Sequence, residues 1–228
     1  MHTDPNAKRT QCIRCGECCL GAAPSLQLRD LLRVTKGPIR RSDLYTVRLG
    51  ELVRDNIQGK LRITEEEIIK VKEKEGRGGC IFYDDRGRCC TIYERRPVQC
   101  AAMACWDSTQ FIQVYSEPKA TRKDIIHDTN LLRLMAAHEE TCGYAALDRH
   151  VREIEPAGEQ AIHRILKILR FDHDIRMLTR EKLGVDAGEM DLIFGRPLTE
   201  TIPMFGLKVI REPDGSFLLT PKDSLHPP

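Results

Sequence analysis

A chain of 228 residues with 41% hydrophobic and 31% charged side chains has the balance of a protein that buries a core in water, which excludes a disordered or membrane-embedded class. Its net charge is +2 and no face or tail reads as basic, so the phosphate-neutralising contacts behind nucleic-acid binding have no source. No run approaches the length needed to span a bilayer, and the polar start with Asp4, Lys8 and Arg9 carries no signal peptide, so a cytoplasmic location is expected.

The chain opens on a cysteine knot, Cys12-Ile-Arg-Cys15-Gly16-Glu-Cys18-Cys19. Ser25 is then the expected N-cap of a helix carrying Leu28, Leu31 and Leu32, which ends near Lys36 because Gly37-Pro38 cannot continue it. A second helical stripe follows Ser42, with Leu44, Val47, Leu49, Leu52 and Val53 on one face. Ile68 to Lys72 alternates as a strand. Cys80-Ile81-Phe82-Tyr83, the turn residues Asp84 to Gly87, and Cys89-Cys90-Thr91-Ile92-Tyr93 predict a β-hairpin, because Asp and Gly tolerate the tight turn between two β-prone runs.

After Trp106 the pattern becomes mainly helical. Thr121 and Asp124 resemble a capping box, and Ile125, Ile126, Leu131, Leu132, Leu134 and Met135 carry an apolar face onward. Pro156 suits a helix start, and Ile162, Ile165, Leu166, Leu169, Ile175 and Leu178 extend a core stripe as far as Gly184. Val209 to Arg211 and Phe217 to Thr220 flank Pro213-Asp214-Gly215 as a terminal hairpin. The expected class is α+β, mainly α: a cysteine-rich metal-binding region over residues 1–107, then a mainly helical region over 108–228 packed against it, as one domain or two.

Nine of the ten cysteines lie before residue 106, and Cys142 stands alone beyond them. In a reducing compartment such clustering points to metal or redox chemistry rather than to disulfide staples. Two cysteines separated by two residues can turn both sulfurs toward one centre, and Cys12, Cys15 and Cys18 repeat that spacing twice. A C-x2-C-x2-C run with a remote fourth cysteine is the pattern that holds a 4Fe-4S cluster, and Gly16 lets the loop turn tightly. Zinc uses the same spacing with four ligands. The surplus of thiols over four favours iron-sulfur over zinc.

These motifs resemble the CxxCxxCC cysteine-cluster proteins, a family of zinc or iron chelation. The likeness runs from about Cys12 to Cys105 and rests on Cys12-x2-Cys15-x2-Cys18-Cys19, Cys80-x-Phe82, the Gly87 turn, and Cys90-x-Ile92-Tyr93-Glu94-x-Arg96-Pro97-x2-Cys100. It implies Cys12, Cys15, Cys18, Cys19, Cys80, Cys90 and Cys100 as ligands, with Cys105 close enough to serve as an eighth. Cys89 is an extra cysteine beside the expected one, and Ala101 stands where the family carries Arg. Flagellin lysine methylases look similar in this region, so the resemblance names ligands better than it names a reaction.

Outside the likeness, His138 and Cys142 fall one helical turn apart on one face. They either complete a metal site, with Glu139 or Glu140 as orienting partner, or are a surface histidine and a small buried thiol. Cys89, His138 and Cys142 are therefore further ligand candidates. Arg95-Arg96 reads as a solvated turn or a brace for the cysteines, Tyr93 and Trp106 as shielding for the centre, and Asp172-His173-Asp174 as surface. Three functions follow. The first is a metal-cluster protein, iron-sulfur or zinc, with a redox or accessory role beside a redox or methylating enzyme. The second is an enzyme using S-adenosylmethionine, for which no Gly-rich loop or HExxH motif speaks. The third is a zinc-stapled interaction module.

Overall fold

The computed structural model describes residues 10–55, 57, 59–76 and 78–222. In chain order the elements begin with helix α1 (Glu17–Gly21), helix α2 (Leu31–Thr35) and strands β1 (Leu44–Val47), β2 (Leu52–Arg54), β3 (Leu61–Ile63) and β4 (Ile68–Val71). The cysteine hairpin is β5 (Tyr83–Asp84) with β6 (Cys89–Cys90), followed by α3 (Val98–Ala102), α4 (Thr109–Tyr115) and α5 (Arg122–Ile125). Longer helices come next: α6 (Thr129–Cys142), α7 (Tyr144–Arg152), α8 (Ile154–Ala157) and α9 (Glu159–Leu183). The chain closes with α10 (Met190–Phe194), α11 (Leu198–Thr201) and strands β7 (Leu207–Arg211) and β8 (Phe217–Pro221). The architecture is α+β and mainly α, its strands lying in small two-stranded pairs.

Local chemistry moves several expected boundaries. The stripe after Ser42 is extended, not helical: Gly50 sits at φ +85° and donates to the Thr64 carbonyl, while Thr64 donates back to Glu51, so the chain turns where a helix would have to continue. The β-prone Tyr45, Thr46, Val47 and Val53 suit this better than a helix does. Ser25 caps nothing. It is extended, bridged to Lys70, and its amide donates to Gln99; the helical turn begins after Gln27, whose amide is held by Asp30. Asp124 accepts from the Thr121 amide and hydroxyl as the capping pattern predicts, but that helix stops at Ile125 because Asp128 captures the Asn130 and Leu131 amides and starts α6. Pro156 falls inside the short α8, and Gly158 at φ +51° separates it from α9. Gly184 ends α9 in the left-handed conformation expected of it.

Two compact units result, residues 10–44 with 68–125 and residues 45–67 with 126–222. In the first, extended Pro24 to Leu28 lies between two partners. Leu26 donates to Ile69 and Val71 to Pro24 on one side, while Ala120 donates to Leu26 and Leu28 to Pro118 on the other. Leu26, Ile39, Leu44, Ile69, Val71 and Ala120 are closed to water around this segment. In the second unit the long helix α9 presents Ile165, Ile168 and Leu169 to Tyr144 and Leu147 of α7 and to Leu198 and Ile202. Burying each such side chain stabilises by about 2 kcal/mol. The terminal hairpin pairs Leu207 with Pro221 through Arg211 with Phe217, and its Val209, Phe217 and Leu219 cover the same core.

Candidate metal centre

The cysteine knot turns at a glycine whose place leaves little room for a side chain. Gly16 takes φ +85° just before α1, and a Cβ there would run into the Tyr83 hydroxyl and stand 2.6 Å from its ring. The close approach lays α1 on the hairpin. Cys19 and Leu20 both donate to the Gly16 carbonyl at 2.9 Å, and the Cys80 amide donates to the Cys19 carbonyl at 2.7 Å. Within the hairpin, Tyr83 faces Cys90 and Asp84 faces Cys89, while the Asp84 carboxylate accepts from the Arg86 and Gly87 amides to close the turn. Neighbouring strand residues point to opposite sides, so Cys90 is half-buried and Cys89 exposed.

Cys100 arrives on α3, whose start is fixed from below. The Asp30 carboxylate, with no exposed surface, accepts from the Val98 amide at 2.9 Å and the Gln27 amide at 3.0 Å and pairs with Arg33 at 3.2 Å. One residue on, Gln99 accepts from the Ser25 amide at 2.7 Å. Arg33 also donates to the Arg96 carbonyl, so the Arg96-Pro97 corner ahead of α3 is tied to the same segment. Arg96 in turn lays its guanidinium 3.9 Å from the centre of the Tyr93 ring, which Arg14 also approaches at 4.0 Å. Sequence reasoning missed Asp30, Gln99 and Tyr83. A carboxylate between Leu28, Leu31 and Leu32 was the available signal for the first.

Electrostatics tie five sulfurs together. The Cys19 thiol donates to the Cys18 sulfur, which, helped by Arg96, holds Cys18 down at about 6 and pushes Cys19 up. Burial pushes Cys80 up to about 11 and raises Cys90 and Cys100 as well. Each also feels its neighbours: Cys100 feels Cys80, Cys18 and Cys90; Cys80 feels Cys90; Cys19 feels Cys100 and Cys90. Cys18, Cys19, Cys80, Cys90 and Cys100 thus come from four stretches of sequence into one neighbourhood. Cys12 is exposed and accepts from the Arg14 amide, Cys15 is half-buried, and Cys105 is exposed. Trp106 is 38% exposed.

Sulfur donors suit a soft cation, and among the described residues no three of these sulfurs lie within 4.8 Å of one another. Thiols that raise one another's pKa cannot ionise together unaided, whereas a metal ion among them neutralises several thiolates at once. Sulfur is the donor that zinc and iron-sulfur centres take.

The remaining candidates meet elsewhere, inside the second unit. His138 is not a surface residue: it is fully buried, as is Cys142, and its Nε2 lies 2.7 Å from Asp172 Oδ1. Asp172 is not surface either. It is 2% exposed, accepts from Arg176 Nε at 3.0 Å and from the Leu198 amide at 2.9 Å, and is held down at about 2 against the opposing pull of its burial. The helical stripe Ile165, Leu169, Asp172, Arg176 carried that signal, since a carboxylate and its cation four residues on share the apolar face. Burial keeps the His138 imidazole neutral and pushes the Cys142 thiol up to about 12.

Comparison with known proteins gives one match. The model of the family CxxCxxCC, described as "Putative zinc- or iron-chelating domain", matches residues 11–120. No curated protein and no solved structure matches the chain. Among the described residues no helix is long and apolar enough to cross a membrane.

Proposed function

From the match of residues 11–120 to the model of the CxxCxxCC family, we propose that the first unit holds an iron-sulfur centre on Cys18, Cys19, Cys80, Cys90 and Cys100, with Cys12, Cys15 and Cys105 completing the ligand set. The observation that carries this reading is the mutual electrostatic influence of five sulfurs from four separate segments. Their number exceeds the four that one zinc ion takes, and the C-x2-C-x2-C spacing suits a cubane. Bound there, such a cluster supplies one-electron transfer, which supports a redox or accessory role beside a redox or methylating enzyme.

The chain's own residues have defined tasks in this scheme. Gly16 and Tyr83 dock the N-terminal loop, Asp30 and Gln99 fix the helix that carries Cys100, and Arg96 sets a positive charge against Cys18 and Cys90. Zinc is the second reading. It is favoured by the slightness of the local structure, two-residue strands and a five-residue helix, which gains more from a metal's folding free energy than from its own ladders.

Anaerobic purification followed by iron, zinc and acid-labile sulfide analysis with an absorption spectrum tests the proposal. Brown protein with iron and sulfide in equal amounts is expected. Colourless protein with zinc alone overturns the iron reading, and metal-free protein with reduced thiols overturns both. Binding of S-adenosylmethionine by the same preparation would move the reading to methyl transfer.

A further inference from the structure

The second unit brings a thiol, an imidazole and a carboxylate together in its dry interior, and we propose that His138, Cys142 and Asp172 form a separate site for a zinc-class divalent ion that clasps α6 to α9. His138 and Cys142 stand one turn apart on α6, and Asp172 faces them from α9; all three are buried, and one ligand atom from each lies within 4.8 Å of the others. A tetrahedral zinc with bonds of about 2.0–2.3 Å holds its ligand atoms roughly 3.3–3.8 Å apart. Small side-chain movements therefore suffice to close the set. The Ile168 carbonyl oxygen accepts from the Cys142 thiol at 3.8 Å and so borders the set.

A second observation is independent of that spacing. His138 Nδ1 is buried without a hydrogen-bond partner, while Nε2 is held at 2.7 Å from Asp172. In the neutral ring the proton between Nε2 and Asp172 can pass to Nδ1 without breaking any other hydrogen bond. That frees Nε2 to take the ion, with Asp172 Oδ1 offering the lone pair that Arg176 Nε does not engage, and Cys142 becomes a ligand by releasing its thiol proton to solvent. One proton leaves the protein for each ion bound.

Charge balances as well. The two buried guanidiniums beside the site have carboxylates of their own, Arg48 with Glu139 at 3.6 Å and Arg176 with Asp191 at 3.7 Å. Asp172, which also pairs with Arg176 at 3.0 Å, and ionised Cys142 supply the two further negative charges that balance the group with a divalent ion included. Asp172 keeps its place meanwhile through Oδ2, which accepts from the Leu198 amide.

The test is a zinc titration of the full chain read by native mass spectrometry, comparing the unaltered protein with Cys142→Ser, His138→Gln and Cys100→Ser. Cys142→Ser and His138→Gln are each expected to bind one zinc fewer while the first centre keeps its metal, and Cys100→Ser to perturb only the first centre. Equal zinc stoichiometry and affinity in the unaltered chain and Cys142→Ser, with matching circular dichroism, overturns the proposal. Should Cys142→Ser fail to fold, alkylation of the unaltered chain in mild denaturant decides. Zinc is expected to slow modification of Cys142 at least tenfold, and an unchanged rate overturns the site.

Discussion

Replacing Asp30 with alanine removes the group that aims α3, and with it Cys100, at the other sulfurs. The carboxylate accepts from the Gln27 amide at 3.0 Å and the Val98 amide at 2.9 Å in a place closed to water. Without it, two backbone N–H groups lose their acceptor at about 1–3 kcal/mol each. Arg33 is partly exposed and loses little by comparison. Part of the cost is returned, because desolvation already works against the charged carboxylate and raises its pKa. The balance is a loss of about 3 kcal/mol, or roughly a hundredfold in the folding equilibrium. Val98 is the first residue of α3 and lies two before Cys100, so metal affinity is expected to fall by about 10–100-fold as well. Asp30→Asn keeps one oxygen for one of the two amides and is expected to cost about half as much. Urea denaturation and a chelator-competition titration measure the two effects. A loss under about 1 kcal/mol in Asp30→Ala, or metal affinity unchanged within twofold, refutes the reasoning.

Other expectations are as direct. Gly16→Ala places a Cβ against the Tyr83 ring at φ +85°, so it should destabilise by more than about 1 kcal/mol and lower metal occupancy, whereas Gly21→Ala, with nothing within 4 Å, should do neither; thermal melts and metal analysis compare them. Cys80 is held at about 11 in the folded chain against 9.0 ordinarily. Between those values the folded state keeps the proton that the unfolded state has lost, so Cys80 should contribute a loss of about 2 kcal/mol in metal-free protein as pH rises from 9 to 11. Cys80→Ser should remove that share of the slope in denaturation midpoints, the other raised thiols keeping theirs. Metal affinity runs the other way and should increase with pH, since the protonated thiols must give up their protons to bind. Arg176→Met leaves Asp172 without its guanidinium and frees the carbonyls of Met190 and Gly195, and it should cost about 3 kcal/mol by urea denaturation.

What the sequence made legible follows from how local each signal is. The cysteine hairpin, the terminal hairpin and the end of α9 at Gly184 are written in neighbouring residues, so turn chemistry sufficed to find them. The stripe from Leu44 to Val53 misled because a run of apolar side chains fits a helix face as well as short strands, and Gly50 with its partner Thr64, fourteen residues on, decides between them. The excursion of residues 45–67 into the second unit is long-range and left no local mark. At the site the ligand types were legible but their supports were not. Asp30 and Gln99 act on residues some seventy positions away. Asp172 was hidden by two polar neighbours, His173 and Asp174, that do face solvent more than it does.

X-ray absorption at the metal edge of the anaerobically prepared chain tests most directly whether the sulfurs of the N-terminal loop, the hairpin and α3 share one centre. A first shell of sulfur near 2.3 Å is expected, weakened together in Cys18→Ser, Cys80→Ser and Cys100→Ser. A shell of nitrogen and oxygen alone, or sulfur scattering that none of the three substitutions alters, would contradict the account.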